Sequence, residues 1–166
     1  ALMITSSPLE YESIVAEGSN YALSEKQVKL TGMPRHDALV AAPRSEDLIF
    51  IMPTWRMNLV LASGSDVDAF AKTPYATAWR SLLNAEALET LSLRKRIVFC
   101  PHWNVAGLVE SFAPPPFVER VDLRVTTSLT PFMAAAACVV TDYSSIAFDA
   151  ALGRTAPIVA VIDDLQ

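Results

Sequence analysis

Short apolar runs alternate with longer amphipathic stretches through most of the chain, and that alternation predicts strands interleaved with helices. Leu2 to Thr5 reads as a strand, and Pro8 to Glu17 as a helix with proline near its start. Val28 to Thr31 is a second short strand, running into a loop from Gly32 to Asp37 where glycine and proline break both periods. Leu48 to Met52 is a strong strand closed by Pro53, and Ser63-Gly64-Ser65 marks an exposed loop. Asp66 to Leu93 is helical in two pieces broken at Pro74, with Ala78, Leu82, Leu83, Leu88 and Leu91 on the apolar face of the second. Ile97 to Cys100 is a strand, Val105 to Phe112 a helix stopped by three prolines, and Val118 to Val125 a more exposed strand. Ser128 to Ala137 reads as a helix, Cys138 to Val140 as a buried strand, Ser145 to Leu152 as a helix, and Ile158 to Ile162 as a last strand.

A β/α succession of this kind implies a mostly parallel sheet with helices on both faces, a Rossmann-like α/β fold. In such sheets ligands bind outside the carboxyl ends of the strands, so the residues after each strand are the ones to inspect. They are polar here: Pro34-Arg35-His36-Asp37, Thr54-Trp55-Arg56, Pro101-His102-Trp103-Asn104 and Thr141-Asp142-Tyr143-Ser144-Ser145. Any one group could serve only to cap a helix or shape a turn; four along one edge favour a site. Ser144 and Ser145 fall at the start of a helix, where unpaired backbone N–H groups and the helix dipole suit a phosphate or diphosphate. An ordinary serine cap uses the same atoms. His102 directly follows a strand, a position suited to catalysis or phosphate binding. Asp149 lies one helical turn beyond Ser145, where it could orient a serine or hold a ligand hydroxyl, or be a plain surface charge.

Composition narrows the classes. The net charge of −5 argues against a general nucleic-acid binder, yet leaves room for a small anionic ligand held by a few local cations. The hydrophobic share of 52% and mean hydropathy of +0.31 fit a buried sheet, and no apolar run is long enough to span a membrane. Cys100 and Cys138 each lie in an apolar run and read as buried thiols rather than a disulfide, and no metal-ligand spacing occurs. Five glycines make neither a dinucleotide fingerprint nor a Walker loop, so phosphates must be held by a helix terminus and side chains.

At these same segments the chain resembles the CDP-glycerol glycerophosphotransferase (teichoic acid polymerase-like) family. Three stretches carry the likeness: Thr31 to Leu39 with its TG-x-PR-x-D-x-L pattern, Pro53-Thr54-Trp55-Arg56, and Thr141-Asp142-Tyr143-Ser144-Ser145 with Phe148-Asp149. It departs from the family at Trp103, where proline usually follows the histidine. The resemblance implies a GT-B architecture, with residues 1–33 the tail of an N-terminal acceptor-side domain and 34–166 the C-terminal donor-binding domain. It implies transfer of glycerol phosphate from CDP-glycerol, or a related CDP-alditol, to a lipid-linked polymer, releasing CMP, at the inner face of the bacterial membrane. His102, Arg56 and Asp149 would be catalytic, and Thr141, Ser144, Ser145 and Arg35 would bind substrate, with no metal and no cofactor. The general base would lie in a missing N-terminal part, so the chain alone would bind donor without transferring it. Two alternatives stay open on the residues alone: a GT-B glycosyltransferase using a nucleotide sugar, and a non-catalytic nucleotide-binding domain.

Overall fold

Serine followed by proline opens a helix well, because the hydroxyl caps an early amide and proline tolerates the first turn. The computed structural model, which describes residues 2–59 and 66–160, has this at Ser7-Pro8. Strand β1 (Met3–Thr5) leads into helix α1 (Pro8–Val15), whose Glu10 amide donates to the Ser7 hydroxyl at 3.2 Å. Strand β2 (Val28–Leu30) lies parallel to β1, with Met3 opposite Val28. The segment expected as a loop, Gly32 to Asp37, instead turns at Gly32 (φ 76°) and starts helix α2 (Pro34–Ala41). The physical reason is Pro34 at the first helical position, where proline begins a helix rather than breaking one. These elements form one compact unit, residues 1–41; residues 42–166 form a second.

The second unit is built on β3 (Leu48–Ile51), which is buried along its whole length and therefore needs a layer on each side. Its sheet also holds β4 (Arg96–Phe99), β5 (Val118–Arg120), β6 (Ala136–Thr141) and β7 (Ala156–Val159). The order is β5-β4-β3-β6-β7, parallel throughout. Ile49 and Ile51 face a core shared with Phe70, Tyr75, Trp79, Phe99 and Phe112. Phe112 meets the edges of Phe70, Tyr75 and Phe99 at 5.3–6.0 Å between ring centres. On the opposite face Phe50 stacks on Phe132 at 5.7 Å, as the period-two pleat requires. Helices thus cover both faces of the sheet.

Several boundaries differ from the sequence reading. The stretch from Asp66 to Leu93 forms three helices, α3 (Val67–Ala71), α4 (Pro74–Leu83) and α5 (Glu86–Ser92), the first two capped by Asp66 and Thr73. The additional break falls at Asn84, whose side-chain amide donates to the Arg80 carbonyl at 2.9 Å in competition with the helix. Leu83 and Leu88 of the expected apolar face are buried, but Leu83 shares the buried face of α4 with Tyr75, Ala76 and Trp79, and Leu91 is 43% exposed. The two large rings have more area to bury and decide which side turns inward. Trp103–Phe112 is a pair of 3₁₀ turns kinked at Leu108 rather than an α-helix. β5 stops at Arg120 because Asp122 captures the Arg124 amide in a local turn. Helix α6 is Thr130–Ala135 and α7 is Ile146–Leu152. β7 begins before the expected Ile158; Ile162 and the Ser63-Gly64-Ser65 loop lie outside the described residues.

Candidate functional site

Strand order determines where a crevice opens. β3 is followed in sequence by β4 on one side and flanked by β6 on the other, so the chain leaves these two central strands in opposite directions. At that switch point the loops after the strands diverge and leave room for a ligand. The segments emerging there are Met52 to Arg56 after β3 and Asp142 to Ser145 after β6. Main-chain pairing continues past β3, with the Met52 amide on the Val140 carbonyl at 2.9 Å.

The two loops are bolted together by Asp142, whose side chain is 0% exposed. Its Oδ1 accepts from the Thr54 amide at 2.7 Å and its Oδ2 from Arg56 Nη2 at 2.8 Å. A buried carboxylate is tolerable only when paired and hydrogen-bonded, and both conditions hold here. Arg56, 11% exposed, lies between two rings: its guanidinium carbon is 5.2 Å from the centre of Tyr75 and 5.3 Å from that of Tyr143. Aromatic faces attract a cation, and together with the carboxylate they fix its direction. Tyr75 also donates its hydroxyl to the Thr54 carbonyl. The guanidinium is therefore a fixed positive group at the crevice.

Strand β4 delivers His102 to the same sheet end. Its ring stacks on Trp55 at 5.7 Å and 20°, and Trp103, 61% exposed, lies tilted beside it at 6.0 Å. His102 Nδ1 accepts from the Asn104 amide at 3.2 Å, which leaves Nε2 to carry the proton of the neutral ring. Burial pushes the imidazole below its ordinary value of 6.5, so it is neutral at pH 7 and can donate from Nε2.

Thr141 is fully buried, and its hydroxyl donates to the Met52 carbonyl at 2.6 Å. It therefore acts as a strap between β6 and the β3 loop, positioning its neighbours. The Ser144 hydroxyl accepts from the Ile146 amide at 3.3 Å, while Ser145 is exposed and its side chain makes no capping bond to α7. Asp149 is half-buried on α7, one turn from Ser145. Arg56, His102, Thr141, Ser144, Ser145 and Asp149 thus all stand in the second unit; Arg35 is exposed on α2 in the first. Sequence reasoning missed Asp142 and Tyr75 as site-builders. A carboxylate directly after an apolar strand was the available signal for Asp142; Tyr75 resembled any helical core aromatic. Among the described residues no cluster of three His, Cys, Asp or Glu is placed to hold a metal ion.

Comparison with known proteins identifies the family and the fold. The family model for CDP-glycerol:poly(glycerophosphate) glycerophosphotransferase matches residues 3–166. The chain is 30% identical over 156 residues to the minor teichoic acid biosynthesis protein GgaB of Bacillus subtilis (strain 168), an alignment covering 89% of this chain and 17% of that protein. The solved structure of the wall teichoic acid polymerase TagF superposes with a TM-score of 0.57 at 16% identity, covering 94% of this chain and 38% of that one. A TagF variant soaked with CDPG superposes with a TM-score of 0.56 at 17% identity, covering 94% and 36%. These structures share the α/β fold, and the chain spans a minor part of each relative's length. The match across residues 3–166 makes the chain a member of the CDP-glycerol:poly(glycerophosphate) glycerophosphotransferase family.

Proposed function

We propose that this chain forms the donor-binding part of an enzyme that transfers glycerol phosphate from CDP-glycerol to the growing end of a teichoic-acid-like or capsule polymer. The observation that carries the proposal is the Arg56–Asp142 pair at the β3/β6 switch point, with His102 at the end of the adjacent strand. Phosphoryl transfer needs little covalent chemistry from a protein; it needs positioning and donors aimed at charged oxygens. An acceptor hydroxyl attacks the phosphorus that bears glycerol, the bond to CMP breaks, and the electron pair leaves on the CMP phosphate. Arg56 and the neutral His102 Nε2–H stabilise that charge. Ser144 and Ser145 hold the diphosphate, Asp149 meets the glycerol end, and Thr141 and Asp142 keep these groups in place. The general base and the acceptor site belong to another part of the longer protein, so the chain by itself binds donor without releasing CMP.

No helix among the described residues is long and apolar enough to cross a membrane. In this proposal the lipid-linked acceptor is met from the cytoplasmic side by a peripherally bound enzyme. Calorimetric titration of the chain with CDP-glycerol, CDP-ribitol and UDP-sugars tests the donor assignment. Saturable binding that prefers a CDP-alditol and is lost in Arg56→Ala is the expected result. Preference for a UDP-sugar, or binding indifferent to Arg56, would overturn it.

A further inference from the structure

Thr54 lies at the centre of the switch point with both backbone polar groups engaged. Its amide donates to Asp142 and its carbonyl accepts from Tyr75. Its side chain differs: Oγ1 is buried and has no hydrogen-bond partner among the described residues. Folded proteins pair nearly all buried hydroxyls, so an unpaired one needs a cause. The other such atom among the described residues, Trp79 Nε1, belongs to the aromatic core, where a large ring contributes packing regardless of its N–H. No such account serves Thr54. Valine has the same branched shape without the hydroxyl, and would fill the space with no orphaned group. A local rule broken at a ligand-binding crevice, two residues before Arg56, is the pattern expected where stability gives way to function.

We propose that Thr54 is a further ligand-binding residue, whose hydroxyl donates to a phosphoryl oxygen of a bound diphosphate alongside Arg56. This rests on the donor-binding reading above and adds a residue to it. A turn about Cα–Cβ changes the direction of the hydroxyl without moving the backbone, which Asp142 and Tyr75 hold. A rigid loop with one rotatable donor suits an anion that arrives and leaves with each turnover.

The test compares Thr54→Val and Thr54→Ser in the 166-residue chain, with CDP-glycerol and inorganic pyrophosphate as probes and the ligand-free melting temperature as a second readout. Thr54→Val should weaken both ligands by about fivefold or more, and Thr54→Ser should stay within about twofold of the parent. The ligand-free melting temperature of Thr54→Val should equal or exceed that of the parent, because removing an unpaired buried hydroxyl relieves a desolvation penalty. A lower melting temperature would mean that the hydroxyl has a partner in the free protein, and would overturn the proposal. So would affinities unchanged by the valine. Thr54-dependent pyrophosphate binding without CDP-glycerol binding would keep this proposal and remove the nucleotide-donor reading. CDP-glycerol binding that ignores Thr54 would do the reverse.

Discussion

Replacing Asp142 with alanine should be the most damaging single change at this site. The carboxylate is fully buried and makes two bonds, one to the Arg56 guanidinium and one to the Thr54 amide. Its removal takes the ion-pair partner from a largely buried Arg56 and the acceptor from the Thr54 amide together. Breaking a buried ion pair from one side costs about 3–5 kcal/mol, and an unpaired buried amide about 1–3 kcal/mol. The two losses share one local rearrangement and do not simply add, and stacking of Arg56 on Tyr75 and Tyr143 recovers about 1 kcal/mol. A net loss of about 3–5 kcal/mol follows, which for a domain of this size lowers the melting temperature by about 10 °C. Asp142→Asn should lose roughly half as much, because its amide oxygen can still accept from Thr54. In Asp142→Ala/Arg56→Met much of the loss should return, since no charge is left buried. Chemical denaturation of the four proteins, with matched m-values, measures each quantity. If Asp142→Ala loses less than about 1 kcal/mol, or the double variant is no better than the single, the pair does not hold the loops together.

Three further outcomes are expected. His102→Ala in the full-length enzyme should reduce kcat by about 10²-fold or more with a smaller change in KM, and near-normal turnover would make the ring structural. By NMR the His102 ring should titrate below 6.5; because the folded state then binds fewer protons than the unfolded one, its contribution to stability should decline as pH falls through that value and stay constant above it. Replacing Ser144 and Ser145 together with alanine should weaken CDP-glycerol binding by about 1–3 kcal/mol in calorimetry with the fold intact. Cys100, whose thiol burial pushes up to about 12, should resist alkylation at pH 8 in the native chain and react once it is unfolded.

Periodicity in the sequence determined the succession of strands and helices, and with it the parallel sheet and the edge at which a ligand site is proposed. Those features depend on residues a few positions apart, as the run Leu48-Ile49-Phe50-Ile51 illustrates. Short-range pattern also brought Arg56, His102, Ser144 and Ser145 forward, because each lies in the short segment that leaves the end of a strand. It misjudged Pro34, where the same residue can end one element or begin another and only the following packing decides. It had no means of pairing Arg56 with Asp142, 86 residues later. That partnership exists because β6, rather than any other strand, lies against β3, and strand order is settled by the packing of whole layers. The same adjacency turned the Thr141 hydroxyl toward the Met52 carbonyl, making a strap of a residue the sequence placed among the ligand contacts. It also left the Thr54 hydroxyl buried without a partner among the described residues. Whether a polar atom is occupied or available depends on its neighbours in space, and those neighbours are chosen by the tertiary fold.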